Sequence, residues 1–130
     1  MVNISFGEFF TKCKDRLTDE QLRALRTDIE YLEHENSYFG VKQDDYGVWV
    51  HIMVGDMRGI WAFRELVIRL NIPKIGCMCR PGSRTERIWR YYGAKMEKSG
   101  DFYKDGTEAI RCVIDTQQTR RLSRKLEMAL

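Results

Sequence analysis

Two short runs of β-branched and aromatic residues lie on either side of a helical pattern, and this arrangement constrains the fold more than any other feature of the sequence. The first run is Val48–Val54, and the second is Ile75–Cys79. Between them, apolar residues recur with helical spacing over residues 57–70, until an Asn-Ile-Pro sequence ends the pattern. A connection of this length suits a helical crossover, so we predict that the two strands are parallel. Ligands of open α/β sheets bind beyond the carboxyl ends of such strands, which directs attention to residues 55–59.

The first part of the chain predicts a helix and a hairpin. Thr18 and Gln21 match a capping box, and apolar residues then recur on one face, which predicts an amphipathic helix over residues 18–33. Residues 38–42 are separated from the first strand of the crossover unit by a polar segment rich in turn-forming residues. These two extended segments therefore predict a β-hairpin.

The second part of the chain predicts another helix and another hairpin. A second capping box opens at Ser83 and predicts a helix that ends at Gly93. Beyond it, an Asp-Gly pair separates residues 94–102 from residues 107–114, which is a strong hairpin signal. The predicted fold class is α/β, with a mixed sheet, a central β-α-β-α-β unit, N-terminal helices and a C-terminal hairpin.

Composition predicts one compact cytoplasmic domain. The chain has 130 residues, 43% of them hydrophobic, which suffices for a single core. Its net charge of +3 gives no argument for nucleic acid, and no apolar run approaches the roughly 20 residues of a membrane span. The four cysteines lack secretory spacing, and the N-terminus lacks a signal-peptide pattern, so we expect reduced thiols and no membrane partner.

Gly55, Arg58 and Gly59 lie where the first strand of the crossover unit gives way to its helix. A helix N-terminus presents unpaired N–H groups and the positive end of its dipole, and glycine lets a ligand approach the backbone closely. The arrangement suits a phosphate or diphosphate. Glycines at such turns can also serve local geometry alone.

The order and spacing of these elements resemble the GNAT superfamily of N-acetyltransferases. The resemblance covers residues 47–115 and rests on Arg58-Gly59 at a helix start, on the following strand and on the aromatic-rich sequence from Arg87 to Lys95. In style it is closest to the small, degenerate GNAT-like proteins of bacteriophages. It implies a single GNAT-like domain of acyl-CoA N-acyltransferase type over residues 1–130, with its cofactor-binding core at 47–115 and a basic C-terminal helix at 116–130.

The resemblance also implies a site for acetyl-CoA or another acyl-CoA, whose diphosphate would lie against the first amides of the crossover helix. Trp89 occupies the position of the tyrosine with which many members protonate the departing CoA thiolate, and an indole cannot act as that acid. Tyr91 and Tyr92 are the candidate acids; they face different directions on the helix, and a core position is the alternative for either one. The implied cofactor-binding residues are Val54, Gly55, Met57, Arg58, Gly59, Ile60, Ser83 and Trp89.

His51 is the candidate general base. It lies on the strand just before the proposed loop, and an unperturbed imidazole titrates near neutral pH. Regular strand alternation would place it on the face opposite to Val50 and Ile52. A partly exposed histidine without a catalytic role is the alternative.

The predicted function is a GNAT-like N-acyltransferase that transfers an acyl group from acyl-CoA to an amine acceptor. The alternative is a catalytically inactive GNAT-like phage protein that acts as a structural or regulatory binding module for a protein partner. Trp61 and Trp89 favour this alternative, because they replace a small residue and a tyrosine of the family pattern.

Two further patterns point to other partners. Cys77 and Cys79 share one face of a predicted strand, and His51 would complete a soft metal site of three ligands. Because structural zinc sites normally show paired cysteine spacings, and small cysteines suit a buried strand, we predict no metal. The basic stretch at residues 120–130 makes nucleic-acid binding possible, but it has no aromatic residues for base stacking, so we expect no sequence-specific recognition.

Overall fold

The computed structural model describes residues 1–117 and 128–129. Its strands are β1 (Val2–Ile4), β2 (Glu30–His34), β3 (Ser37–Gln43), β4 (Gly47–Val54), β5 (Lys74–Cys79), β6 (Lys95–Phe102) and β7 (Glu108–Asp115). Its helices are α1 (Phe6–Cys13), α2 (Asp19–Arg23), α3 (Met57–Arg69) and α4 (Arg84–Tyr91), with a short 3-10 helix at Lys14–Arg16. Over the described residues the strands form one mixed sheet in the order β1-β2-β3-β4-β5-β7-β6. The predicted α/β class is confirmed.

The crossover unit has the predicted geometry. β4 and β5 are parallel neighbours, with Gly47–Val50 paired to Lys74–Cys77, and α3 connects them. Every other pair in the described sheet is antiparallel, including the hairpins β3–β4 and β6–β7. The sequence therefore predicted both hairpins and the parallel pair correctly.

The predicted helix over residues 18–33 is wrong beyond its first turns. The capping box forms, since the Gln21 N–H donates to Thr18 Oγ1 at 3.1 Å, but α2 ends at Arg23. Residues 30–34 form β2 instead, paired on one side with β1 and on the other with β3. Alternation replaces helical periodicity there, because Tyr31 packs on one sheet face and Leu32 on the other. Pairing with two strands overrides the local helical pattern.

The two faces of the sheet carry separate cores. On one face, α3 and α4 pack over the strands, and the rings of Phe39 and Phe63 stack with centroids 4.2 Å apart. Trp89 of α4 belongs to the same core. On the other face, Phe9 of α1 packs against Tyr31 with ring centroids 4.5 Å apart. α1 thus covers the second face near β2, whereas the same face of β5 is left partly open at Met78, which is 47% exposed.

The C-terminal end of the chain lies mostly beyond the described residues. The predicted basic helix over residues 116–130 falls largely in that part, so the helix and its contact with nucleic acid stay predictions. Among the described residues, no helix has the length and apolar character needed to cross a bilayer.

Candidate functional site

A cleft opens where β4 and β5 separate. Their pairing ends at Val50 and Cys77, while β4 continues to Val54 and β5 to Cys79. We call the space between the diverging strands the cleft; its volume is about 450 Å³. α2 and α4 contribute its other walls. Its lining includes His51, Met53, Cys79, Ser83, Trp89 and Tyr103.

A β-bulge places His51 at this cleft. Gly40 of β3 pairs with Ile52, whereas the next residue, Val41, pairs with Val50, so His51 is an extra residue on β4. The bulge shifts the alternation: Val50 packs in one core and Ile52 in the other. The sequence prediction that these two neighbours share a face is therefore wrong. Bulges commonly re-aim a side chain next to a functional site.

His51 also faces a second cavity. A space of about 590 Å³ adjoins the cleft and shares His51, Val50 and Met78 with it. The His51 side chain is exposed overall, but partial desolvation lowers its pKa, and the nearby cations Arg26 and Lys42 lower it further. The lowered pKa favours the neutral imidazole, which is the form able to accept a proton.

Trp89 lines the cleft and carries an unusual buried donor. α4 begins as predicted, with the Glu86 N–H donating to Ser83 Oγ at 3.2 Å, and Trp89 lies near the other end of the same helix. Its side chain is 2% exposed, and its indole N–H has no acceptor among the described residues. A buried donor without a partner costs about 1–3 kcal/mol.

The start of α3 is shaped by packing as well as by its N–H groups. The Gly59 N–H donates to Asp56 Oδ1 at 3.0 Å, which caps the helix. A Cβ added at Gly55 or Gly59 would lie 2.2 or 1.7 Å from Ser37 Oγ. Close packing on Ser37 therefore explains both glycines. The first N–H groups of a helix lack intrahelical acceptors, so those of Met57 and Arg58 are left to solvent or a ligand.

A surface pocket of about 710 Å³ runs from this helix start along the outer side of α3. Three arginines and three acidic residues line it together, so its charges are nearly balanced. Trp61, which is half-exposed, also lines it. The charged lining residues are Arg16, Arg58, Arg69, Glu35, Asp56 and Glu65.

The two candidate tyrosines line neither the cleft nor this surface pocket. Tyr91 is 76% exposed. Tyr92 follows α4, and its hydroxyl donates to the Met57 carbonyl at 3.0 Å, which ties the end of α4 to the start of α3. Burial raises the pKa of Tyr92. Val54 and Ile60 are buried, so they contribute backbone and packing rather than exposed side chains.

Removing the Tyr92 hydroxyl is expected to loosen this tie. The Tyr92→Phe variant should lower the free energy of unfolding by about 1 kcal/mol, the net value of a typical hydrogen bond. Tyr91→Phe is the matched control, because that ring is exposed, and it should change stability by less than about 0.5 kcal/mol. Denaturant unfolding of both variants provides the measurement. A Tyr92→Phe variant as stable as the Tyr91→Phe control would contradict the bridging role of the Tyr92 hydroxyl.

The sequence reasoning missed the rim of the cleft. Arg80, directly after β5, forms ion pairs with Glu20 at 3.1 Å and Asp105 at 2.9 Å. Its guanidinium also lies 4.0 Å from the centroid of the Tyr103 ring. In the sequence, the only sign of this role is that Arg80 follows the end of a strand. Its partners, Glu20 and Asp105, come from distant segments of the chain. These contacts tie α2 to the β6–β7 turn across the mouth of the cleft.

The comparisons with known proteins identify this arrangement. No protein-family model and no curated protein matches the sequence. Among solved structures, the ribosomal-protein-S18-alanine N-acetyltransferase from Escherichia coli is similar with a TM-score of 0.59 and 8% identity, over 88% of this chain and 92% of that one. Ard1 from Thermoplasma volcanium is similar with a TM-score of 0.56 and 13% identity, over 88% of this chain and 96% of that one. The chain has the GNAT fold.

Within this GNAT fold, the predicted site residues fall into separate groups. His51, Ser83 and Trp89 line the cleft, and Gly55 and Arg58 line the surface pocket beside α3. Tyr92 contacts the start of α3 through its hydroxyl. The β4-α3-β5-α4 unit thus carries every one of these residues. At sequence identities of 8% and 13%, the likeness to the solved structures concerns the fold alone.

Proposed function

We propose that the chain is an N-acyltransferase that uses an acyl-CoA donor and an amine acceptor. The observation that carries this proposal is the cleft between the diverging β4 and β5, with His51 on the wall that it shares with a second cavity. Two reactants can approach His51 from two sides. The similar E. coli structure, an N-acetyltransferase for an alanine of a ribosomal protein, supports an amine as the acceptor class.

The residues of the cleft fit an acyl donor. When bound, acyl-CoA would supply a thioester carbon for attack by the amine, with loss of the CoA thiolate. Neutral His51 would accept the proton that the attacking amine loses. The unpartnered indole N–H of Trp89 would donate to an acceptor atom of the donor in the cleft. Holding both reactants at one wall supplies much of the rate enhancement through proximity.

The start of α3 would hold the diphosphate. The N–H groups of Met57 and Arg58 and the exposed Arg58 guanidinium form the cationic side of this position. The Asp56 carboxylate is close by, because it caps the Gly59 N–H, and it opposes an anion there. Diphosphate binding in this chain therefore depends on Arg58 more than on the helix end alone.

Truncating Arg58 is expected to weaken CoA binding by at least about tenfold, since a charge-assisted hydrogen bond is worth roughly 1.5–3 kcal/mol. Titration calorimetry of the wild type and the Arg58→Ala variant with CoA provides the measurement. Arg23→Ala, which removes an exposed arginine of α2, is the control for net charge and should bind CoA as the wild type does. Equal affinities of Arg58→Ala and the wild type would refute the diphosphate position.

Asp56 favours a second candidate function, a GNAT-like binding module without catalysis. A carboxylate at the helix end would disfavour the diphosphate, and the cleft would then serve a different ligand. A wild type that shows no heat of binding with millimolar CoA supports this candidate and refutes the acyltransferase. A cytoplasmic location and an origin in a bacteriophage stay predictions.

A further inference from the structure

Three buried thiols converge under α4. Cys77 and Cys79 lie on β5, and Cys112 lies on the neighbouring β7, directly opposite Cys77 in the sheet register. The three Sγ atoms all lie within 4.8 Å of one another, and those of Cys79 and Cys112 are 3.6 Å apart. The Met96 Sδ lies 3.2 Å from the Cys112 Sγ. We call Cys77, Cys79 and Cys112 the thiol cluster.

The spacing of the thiol cluster fits a thiophilic metal ion. Zinc binds thiolate sulfur at about 2.3 Å, so two sulfurs on one tetrahedral zinc are about 3.8 Å apart. The Cys79–Cys112 separation of 3.6 Å is close to this value and none of the three exceeds 4.8 Å, so only small side-chain movements would bring all three sulfurs onto one ion. The pairing of β5 with β7 fixes the three positions through the backbone, which limits the ordering cost of binding.

The surroundings favour a divalent ion with one open position. Three thiolates around a divalent cation leave a single net negative charge, whereas a monovalent ion would leave two, and buried charge is costly. Cys77 and Cys79 line the cleft, which gives an ion a path to the otherwise buried sulfurs. Three protein ligands with a fourth position free is also the arrangement of zinc sites that bind a further molecule.

We propose that the thiol cluster is a zinc-class metal site, with its fourth coordination position toward the cleft. The sequence-based set of Cys77, Cys79 and His51 differs in its third member, because Cys112 completes the cluster, while His51 is an exposed side chain of the β4 bulge. The site depends on the thiols alone, so it holds whether or not the chain transfers acyl groups.

Cobalt(II) titration tests this site directly. Fully reduced protein, kept anaerobic with a reductant that has no thiol, should develop a sulfur-to-cobalt charge-transfer band and tetrahedral d–d bands that saturate at one ion per chain. Zinc should displace the cobalt and abolish these bands, because zinc binds such sites more tightly. A wild type that develops no charge-transfer band would overturn the proposal.

Single substitutions locate the ligands. Cys77→Ala, Cys79→Ala and Cys112→Ala should each lose the saturating band, whereas Cys13→Ala, which removes a buried thiol from the opposite core, should keep it. Because Cys112 is fully buried, circular dichroism must show that the Cys112→Ala variant is folded. If that variant is unfolded, the Cys79→Ala variant tests the ligand assignment instead. Retention of the band in folded Cys79→Ala, or its loss in folded Cys13→Ala, would assign the metal to other groups and overturn the site.

Discussion

Replacing Trp89 with alanine is expected to lower the free energy of unfolding by about 3–5 kcal/mol, the usual cost of truncating a buried tryptophan. The side chain is 2% exposed and packs in the core between α4 and the sheet, so its removal leaves a large cavity. Denaturant unfolding, with linear extrapolation to water, measures the loss. A cost below about 1 kcal/mol would show that Trp89 contributes little to that core.

Trp89→Phe separates the packing role from the proposed binding role. Phenylalanine keeps an aromatic ring in the core and removes the N–H that lacks an acceptor, so the stability cost should be well below that of alanine. CoA binding should nevertheless weaken if the indole donates to the bound donor. Unchanged affinity for an acyl-CoA in a folded Trp89→Phe variant would refute that hydrogen bond and leave Trp89 a packing role only.

Gly59→Val is expected to destabilise the protein by about 3 kcal/mol, at the upper end for overpacked sites. Its Cβ would lie 1.7 Å from Ser37 Oγ and 2.5 Å from Ser37 Cβ, and a change of the Ser37 rotamer relieves only the first clash. Thermal unfolding measures the effect. A double-mutant cycle of Ser37→Gly and Gly59→Ala tests the cause. The double variant should be more stable than Gly59→Ala alone, because it lacks the Ser37 side chain that the added Cβ would meet.

The Ser37→Gly and Gly59→Ala substitutions also decide how a loss of CoA binding in a Gly59 variant is to be interpreted. A bulky residue there clashes with Ser37 before any ligand is present, so lost CoA binding in Gly59→Val would not by itself show a phosphate contact. Additive effects of Ser37→Gly and Gly59→Ala would contradict the packing explanation, since residues in contact should couple. Arg58, whose side chain is exposed, is therefore the informative position for the diphosphate.

Local sequence signals predicted the elements that depend on local chemistry. The Ser83 cap of α4 and the Asp-Gly turn before β7 form as expected, because capping and turn formation involve residues a few positions apart. The return bond of the predicted capping box does not form, because the Glu86 carboxylate accepts from the Gly82 N–H instead of the Ser83 N–H. The crossover between β4 and β5 was also predictable, since its length and periodicity left few other topologies. The GNAT resemblance rested on these same elements.

The features that the sequence did not predict depend on pairing between strands that are far apart in the chain. Residues 30–34 form β2 because β1 and β3 both pair with them, and nothing in their local pattern announces those partners. The bulge at His51 depends on a register shift opposite Gly40, which alternation along β4 cannot predict. The thiol cluster likewise needed the register of β5 with β7, since Cys112 is 33 residues away from Cys79 along the chain.

The short pairing of β4 with β5 has a consequence for how this chain could be re-engineered. The two strands diverge because backbone hydrogen bonding between them stops at Val50 and Cys77, so the opening is set by main-chain geometry. The side chains that face it set its shape and polarity. Substitutions among those side chains that make no core or rim contact can therefore alter which molecules are accepted while the backbone keeps its aperture. At such positions, ligand preference can change without a change in the backbone opening.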